Sequence, residues 1–274
     1  MDRIGEAAQV KAVVRSNTEI APAHFEMTLE AQGAFRRPEA GQFVMVRIAD
    51  GEVFLPRPFS VCCWEKAVSP RLKILYRVVG RGTGGLSRLG SGRTVDLTGP
   101  FGRGFSMPGD GRDVVLLGGG IGMAPLLSLL DRCRETGGPR SGRIAVYAGA
   151  RTASLLIGTA RAAECGAALR ISTDDGSDGF HGPVTERFAR ERGEWDEKKT
   201  SLYACGPRPM LQSLQGLLKG SPAICEASLE ERMACGLGAC LGCAVAVRDG
   251  AGNRVFRRVC KEGPVFPLQD IFWE

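Results

Sequence analysis

Four cysteines toward the end of the chain have a spacing that metal chemistry can use. Cys235, Cys240 and Cys243 form a C-x4-C-x2-C run within Glu231-Arg232-Met233-Ala234-Cys235-Gly236-Leu237-Gly238-Ala239-Cys240-Leu241-Gly242-Cys243, and Cys260 follows after sixteen intervening residues. That is the plant-type spacing of [2Fe–2S] ligands. Three thiolates from one short loop must converge on two irons, so the backbone has to curl tightly around the sulfides. Gly236, Gly238 and Gly242 permit that curl and let N–H groups approach without a Cβ in the way. Four cysteines can also hold one zinc ion, but zinc sites more often use two C-x2-C pairs and only one is present. Cys62, Cys63, Cys133, Cys165 and Cys225 lie on expected strands or helices and read as small core residues.

Two further groups of residues suit a phosphate-bearing cofactor. Arg57-Pro58-Phe59-Ser60 closes one expected strand, and Leu75-Tyr76-Arg77 with Gly82-Thr83 ends another. An arginine fork pairs phosphate and a serine hydroxyl can hydrogen-bond a heterocycle, although an Arg-Pro pair is also an ordinary strand edge and Tyr76 could be core. Gly118-Gly119-Gly120-Ile121-Gly122 stands between an expected strand and helix, where backbone amides can meet a pyrophosphate. It departs from the usual dinucleotide fingerprint, because Pro125 replaces the third small residue. Cys205-Gly206-Pro207-Arg208-Pro209-Met210 follows a later strand, and Cys205 alone could be a buried strand end. Arg151 could pair a 2′-phosphate, whereas Asp174 and Asp175 would repel one, so NAD is favoured over NADP.

The elements that must position these groups are legible from hydrophobic patterning. Phe25, Met27 and Leu29 alternate with Glu26, Thr28 and Glu30, and Leu72, Ile74, Tyr76 and Val78 continue the same period. With segments 10–15, 42–48, 57–64 and 94–98, this predicts a small antiparallel barrel. From Asp113 strands alternate with helices: strands at 114–117, 143–148, 168–173 and 201–205, helices to about 135 and at 152–164, 182–192 and 208–219. That alternation implies a parallel doubly wound sheet. The expected division is an antiparallel β-barrel at 1–108, an α/β doubly wound nucleotide-binding domain at 109–222, and a small cysteine-loop domain at 223–274.

Composition excludes several classes. The 274 residues suit two ordinary domains. The net charge of +6 is spread thinly with no block of five like charges, so nothing points to nucleic acid. The longest apolar run, Val114 to Leu130, contains four glycines, a proline and a serine and is too short to span a bilayer. Met1 to Glu6 lacks the apolar core of a signal peptide, which leads to an expected cytoplasmic location with reduced thiols.

Taken together, these motifs resemble the ferredoxin–NADP reductase superfamily, and their order resembles the electron-transfer subunits of dihydroorotate dehydrogenase B. The resemblance covers nearly the whole chain. It is sharpest at Tyr76-Arg77-Val78-Val79-Gly80-Arg81-Gly82-Thr83, Ser228-Leu229-Glu230-Glu231-Arg232-Met233-Ala234-Cys235 and Arg258-Val259-Cys260-Lys261-Glu262-Gly263-Pro264-Val265-Phe266. It implies FAD against Arg57, Pro58, Phe59, Ser60, Leu75, Tyr76, Arg77, Gly82 and Thr83. It implies NAD at Gly118, Gly119, Gly120, Gly122, Gly206 and Pro207, with Cys205 as catalytic residue near the nicotinamide, and [2Fe–2S] on Cys235, Cys240, Cys243 and Cys260. The implied partner is an FMN-containing catalytic subunit, two copies of each, with Met233, Leu237, Leu241, Val265, Phe266 and Phe272 as an apolar docking surface or as ordinary packing. The small subunit of NADH-dependent reduced ferredoxin–NADP oxidoreductase and sulfhydrogenase gamma subunits share the layout. A stand-alone diaphorase or oxygenase reductase, and a non-enzymatic redox regulator, are the rival classes.

Overall fold

A computed structural model describes residues 7–48, 55–137 and 142–273; the segment Met1 to Glu6 lies outside them. Six antiparallel strands close a barrel in the order β1-β2-β5-β4-β3-β6: β1 (Ala8–Ala21), β2 (His24–Ala31), β3 (Phe43–Ile48), β4 (Arg57–Glu65), β5 (Arg71–Arg77) and β6 (Thr94–Phe101). Alternation drives the closure, because Met27, Leu29, Leu72, Ile74, Val95 and Leu97 all turn into one buried interior. The Gly82-Thr83 segment, expected as a turn, opens a short helix α1 (Arg81–Ser87). Thr83 makes this possible: its hydroxyl accepts from the Val79 and Gly80 N–H groups at 2.9 and 3.3 Å.

The second layer is a seven-stranded sheet. Its parallel strands are β7 (Asp113–Gly119), β8 (Ile144–Ala150), β9 (Ala168–Thr173), β10 (Phe180–His181), β11 (Thr200–Cys205) and β12 (Ile224–Ser228). Spatial order is β10-β9-β8-β7-β11-β12, completed by antiparallel β15 (Val265–Pro267). The connecting helices are α2 (Met123–Glu135), α3 (Thr159–Glu164), α4 (Val184–Glu191) and α5 (Arg208–Leu217). The helix expected at 152–164 is reduced to α3 and a single 3-10 turn at 153–155. Gly158 breaks it, held at φ 75° where a Cβ would press on Leu127. The sheet thus continues past residue 222, with β12 and β15 flanking the cysteine loop.

A three-stranded sheet completes the chain: β13 (Ala244–Arg248), β14 (Arg254–Arg258) and β16 (Ile271–Phe272), in the order β14-β13-β16. One apolar core joins Ala40, Cys62, Cys63, Leu75 and Phe105 to Leu126, Leu127 and Leu130 of α2, so barrel and sheet share packed side chains. A second core joins Phe43 and Met45 of β3 to Cys243, Val259, Cys260 and Phe266. Among the described residues no helix is long and apolar enough to cross a membrane.

Candidate functional site

The Arg57–Ser60 segment lies on β4 between β3 and β5, with Met45 opposite Pro58 and Phe43 opposite Ser60. The Arg57 guanidinium lies over the first turn of α1, where a Cβ on Gly82 would come 2.9 Å from its Nε. Arg57 and Gly82, distant in sequence, therefore form one surface. Tyr76 and Phe59 face inward instead, with ring centroids 5.6 Å apart, and the Tyr76 hydroxyl donates to Asn17 at 2.8 Å. Burial pushes that phenol up to about 12, so it stays a neutral donor. Leu75 packs in the core shared with α2, and Pro58 and Ser60 are half-buried. Thr83 has its hydroxyl engaged by its own loop.

The two nucleotide motifs meet at the carboxyl ends of β7 and β11, neighbours in register from Thr200–Asp113 to Cys205–Gly118. A Cβ on Gly122 would overlap the Cys205 carbonyl, and one on Gly119 would come 2.8 Å from Met210 Sδ and 2.9 Å from Pro207. Only glycines allow the two turns to touch. Gly120 has open space around it and can face a ligand. The Cys205 side chain is 1% exposed, and burial raises its thiol well above the ordinary value, so it stays protonated beside Ser228. It can shape the site but cannot act as a thiolate nucleophile. Asp174 and Asp175 follow β9 against the loop after β8, the Asp175 N–H donating to the Arg151 carbonyl at 3.2 Å. Ser177 hydrogen bonds hold the Asp175 carboxyl below its usual range.

The cysteine loop runs between β12 and β13. Cys243 and Cys260 are buried, Cys235 is half-buried and Cys240 exposed. Cys235 interacts with Cys240, and Cys260 with Cys243 and with Cys235. Burial alone would raise Cys235, but the N–H groups of Cys240, Leu237 and Ala239 and the Cys240 thiol outweigh it, bringing it down to about 6. Burial and then the Cys243 thiol push Cys260 up to about 12. Arg258 lies against the loop, donating to the Gly238 carbonyl at 2.8 Å and pairing with Glu262.

Three segments converge where barrel, sheet and loop meet. A Cβ on Gly236 would come 2.8 Å from Cγ and Sδ of Met45, so the loop rests directly on β3. The Arg103 N–H donates to the Gly263 carbonyl, anchoring the chain beyond Cys260 to the end of β6. A cavity of about 310 Å³ lies alongside, lined in part by Gly206, Pro207, Arg208, Glu230, Glu231 and Trp273. Glu230 lines it and keeps an exposed face; the protein packed around it raises its carboxyl, opposed by the Arg77 cation.

Comparison with known proteins bears on this arrangement. Residues 230–272 match the iron–sulfur cluster binding domain of dihydroorotate dehydrogenase B, and residues 116–216 match the oxidoreductase NAD-binding domain. The dihydroorotate dehydrogenase B (NAD+) electron transfer subunit of Caldanaerobacter subterraneus subsp. tengcongensis is 38% identical over 97% of this chain and 99% of its own length. The chain belongs to the family of dihydroorotate dehydrogenase B electron transfer subunits. The Desulforamulus reducens member is also 38% identical, over 93% of this chain and 95% of its own. Among solved structures, that of an NADH-dependent reduced ferredoxin–NADP oxidoreductase superposes with a TM-score of 0.81 at 26% identity, covering 98% of this chain and 92% of the other.

For a member of this family, the four thiols have the residue types and spacing that a [2Fe–2S] cluster takes. The Arg57–Gly82 surface and the touching glycine turns fit phosphate-bearing cofactors. The sequence places Arg258 in a resembling stretch and Met45 in the strand segment 42–48, and neither was expected at the site. Arg258, two residues before Cys260, carried a charge signal that could have been noticed; Met45, an apolar residue in a strand, carried none. The expected docking surface is corrected in part: Val265 and Phe266 are buried in the cores, whereas Leu237 and Leu241 are each 62% exposed.

Proposed function

We propose that this chain passes electrons between a partner subunit oxidising dihydroorotate at FMN and NAD+, in a cytoplasmic assembly with two of each subunit. In this reading residues 1–108 hold FAD, 109–222 hold NAD, and 223–274 hold the [2Fe–2S] cluster on Cys235, Cys240, Cys243 and Cys260. When bound, FAD converts between the hydride carried by nicotinamide and the single electrons carried by an iron–sulfur centre. Arg57 and the first turn of α1 pair and orient phosphate, and the turns at Gly118–Gly122 and Gly206-Pro207 hold the nucleotide beside the Glu230 cavity. Arg258 offsets the charge of the thiolates.

The observation that carries the reading is the seating of the cysteine loop on β3, the strand beside Arg57–Ser60, while Leu237, Cys240 and Leu241 face outward. One end of the loop thus adjoins the flavin segment and the other is free for a partner. Affinity capture of the chain from its own cells should bring down an FMN-containing subunit, and the complex should couple dihydroorotate oxidation to NAD+ reduction. Leu237→Glu should weaken that assembly by about 1–3 kcal/mol, measured by titration calorimetry. Capture of a larger subunit with its own FAD and [4Fe–4S] clusters, inert to dihydroorotate, would favour the bifurcating-reductase layout instead.

A further inference from the structure

We propose that Met45 is the contact through which electrons pass between the flavin segment of the barrel and the iron–sulfur loop, and that its side chain sets how closely the two approach. This rests on the electron-transfer reading above. Met45 is 2% exposed, and its thioether lies against Gly236, the residue immediately after Cys235. Across the sheet its backbone pairs with Pro58, between the Arg57–Val46 and Phe59–Val44 pairs. One residue therefore joins the two, its backbone paired with the segment assigned to flavin and its side chain against the segment assigned to iron.

A second barrel contact lies farther from the cysteines. It runs through the Arg103 N–H and the Gly263 carbonyl, three residues beyond Cys260. Met45 also belongs to the packed core that holds Cys243 and Cys260, so no gap separates it from the loop. Electron tunnelling falls steeply with distance and faster across a void than through packed atoms. In each step one electron leaves reduced flavin and one ferric iron becomes ferrous; no bond to the protein forms or breaks. What Met45 supplies is filled space, with no charge and no proton, which makes it a positioning residue.

The test uses the full chain with flavin and iron bound, as wild type and as Met45→Ala, Met45→Val and Met45→Leu. Anaerobic mixing with NADH follows flavin and cluster bleaching separately, and an EPR-monitored redox titration gives each variant's cluster potential. Met45→Ala should slow cluster bleaching relative to flavin bleaching by about tenfold, because the void removes contact atoms. Met45→Val should fall between, Met45→Leu should restore the rate, and the potential should stay that of wild type. An undelayed Met45→Ala protein with full iron content overturns the proposal. So does a delay that tracks iron content or cluster potential across the series. Wild-type protein lacking flavin or iron would overturn the electron-transfer reading itself, and this proposal with it.

Discussion

The turn after β7 and the loop after β12 are both short, glycine-rich and set at the end of a strand, yet glycine does different work in each. In the turn, the glycines at 118, 119 and 122 are demanded by neighbouring protein: Met123, Met210 and the Cys205 carbonyl occupy the space a Cβ would need. In the loop only Gly236 is pressed in this way, against Met45, whereas Gly238 sits at φ 82° and Gly242 has only an ordinary 3.6 Å contact with Cys240 Sγ. There Gly238 and Gly242 permit the loop's curl, whereas in the turn the glycines are fitted to the protein beside them.

The sharpest break in that comparison is Cys240→Ser. It should abolish bound iron, because it removes one of the four ligands, while flavin stays bound; elemental analysis and the flavin spectrum check both. Iron content equal to wild type would show the ligand set to be wrong. Next, Gly122→Ala should destabilise the folded chain by about 1–3 kcal/mol through overpacking against Cys205, whereas Gly242→Ala should change the melting free energy little. Equal effects in thermal unfolding would erase the distinction between turn and loop.

Smaller effects probe the edges. Asp175→Ser should raise kcat/KM for NADPH relative to NADH, since it removes a carboxylate that repels a 2′-phosphate. An unchanged ratio would remove Asp175 from cofactor choice. In the barrel, hydrogen bonds from Arg15 and Arg71 hold the Glu30 carboxyl down at about 2, against an ordinary 4.5. A depressed carboxylate stabilises the fold above its unfolded value and loses that contribution as pH falls toward 2. Wild type should therefore lose melting temperature between those values faster than Glu30→Gln, which should be the less stable protein at neutral pH. Parallel curves would show the clamp to be inert.

Much of this was legible in the residues, for identifiable reasons. Two barrel strands followed from two-residue alternation, at Phe25–Leu29 and Leu72–Val78, and four more from short segments set between Pro- and Gly-containing turns. The cysteine spacing stood out because C-x4-C-x2-C followed by a distant fourth cysteine is a recurrent cluster pattern. What escaped has no local signal. Gly82-Thr83-Gly84-Gly85 has little helix propensity, and α1 forms there through the Thr83 hydroxyl cap. Gly158 splits an apparently continuous helix because Leu127, far off in sequence, fills the space beside it. Val265 and Phe266 look available next to the cysteine pattern, but β15 pairs with β12 and buries both. The contact between Met45 and Gly236 joins residues 191 positions apart, and neither has a neighbour that announces it.

The central claim is that electrons from nicotinamide reach iron held by the cysteine loop through a flavin held by the barrel. An anaerobic titration of the purified chain with NADH, read by visible absorption and by low-temperature EPR, addresses it in one experiment. The account predicts that flavin absorption bleaches and that the EPR signal of a reduced [2Fe–2S] cluster grows in with it, abolished in Cys240→Ser while flavin bleaching persists. Flavin reduction in wild type with no iron signal, or one zinc and no iron in the protein, would contradict it.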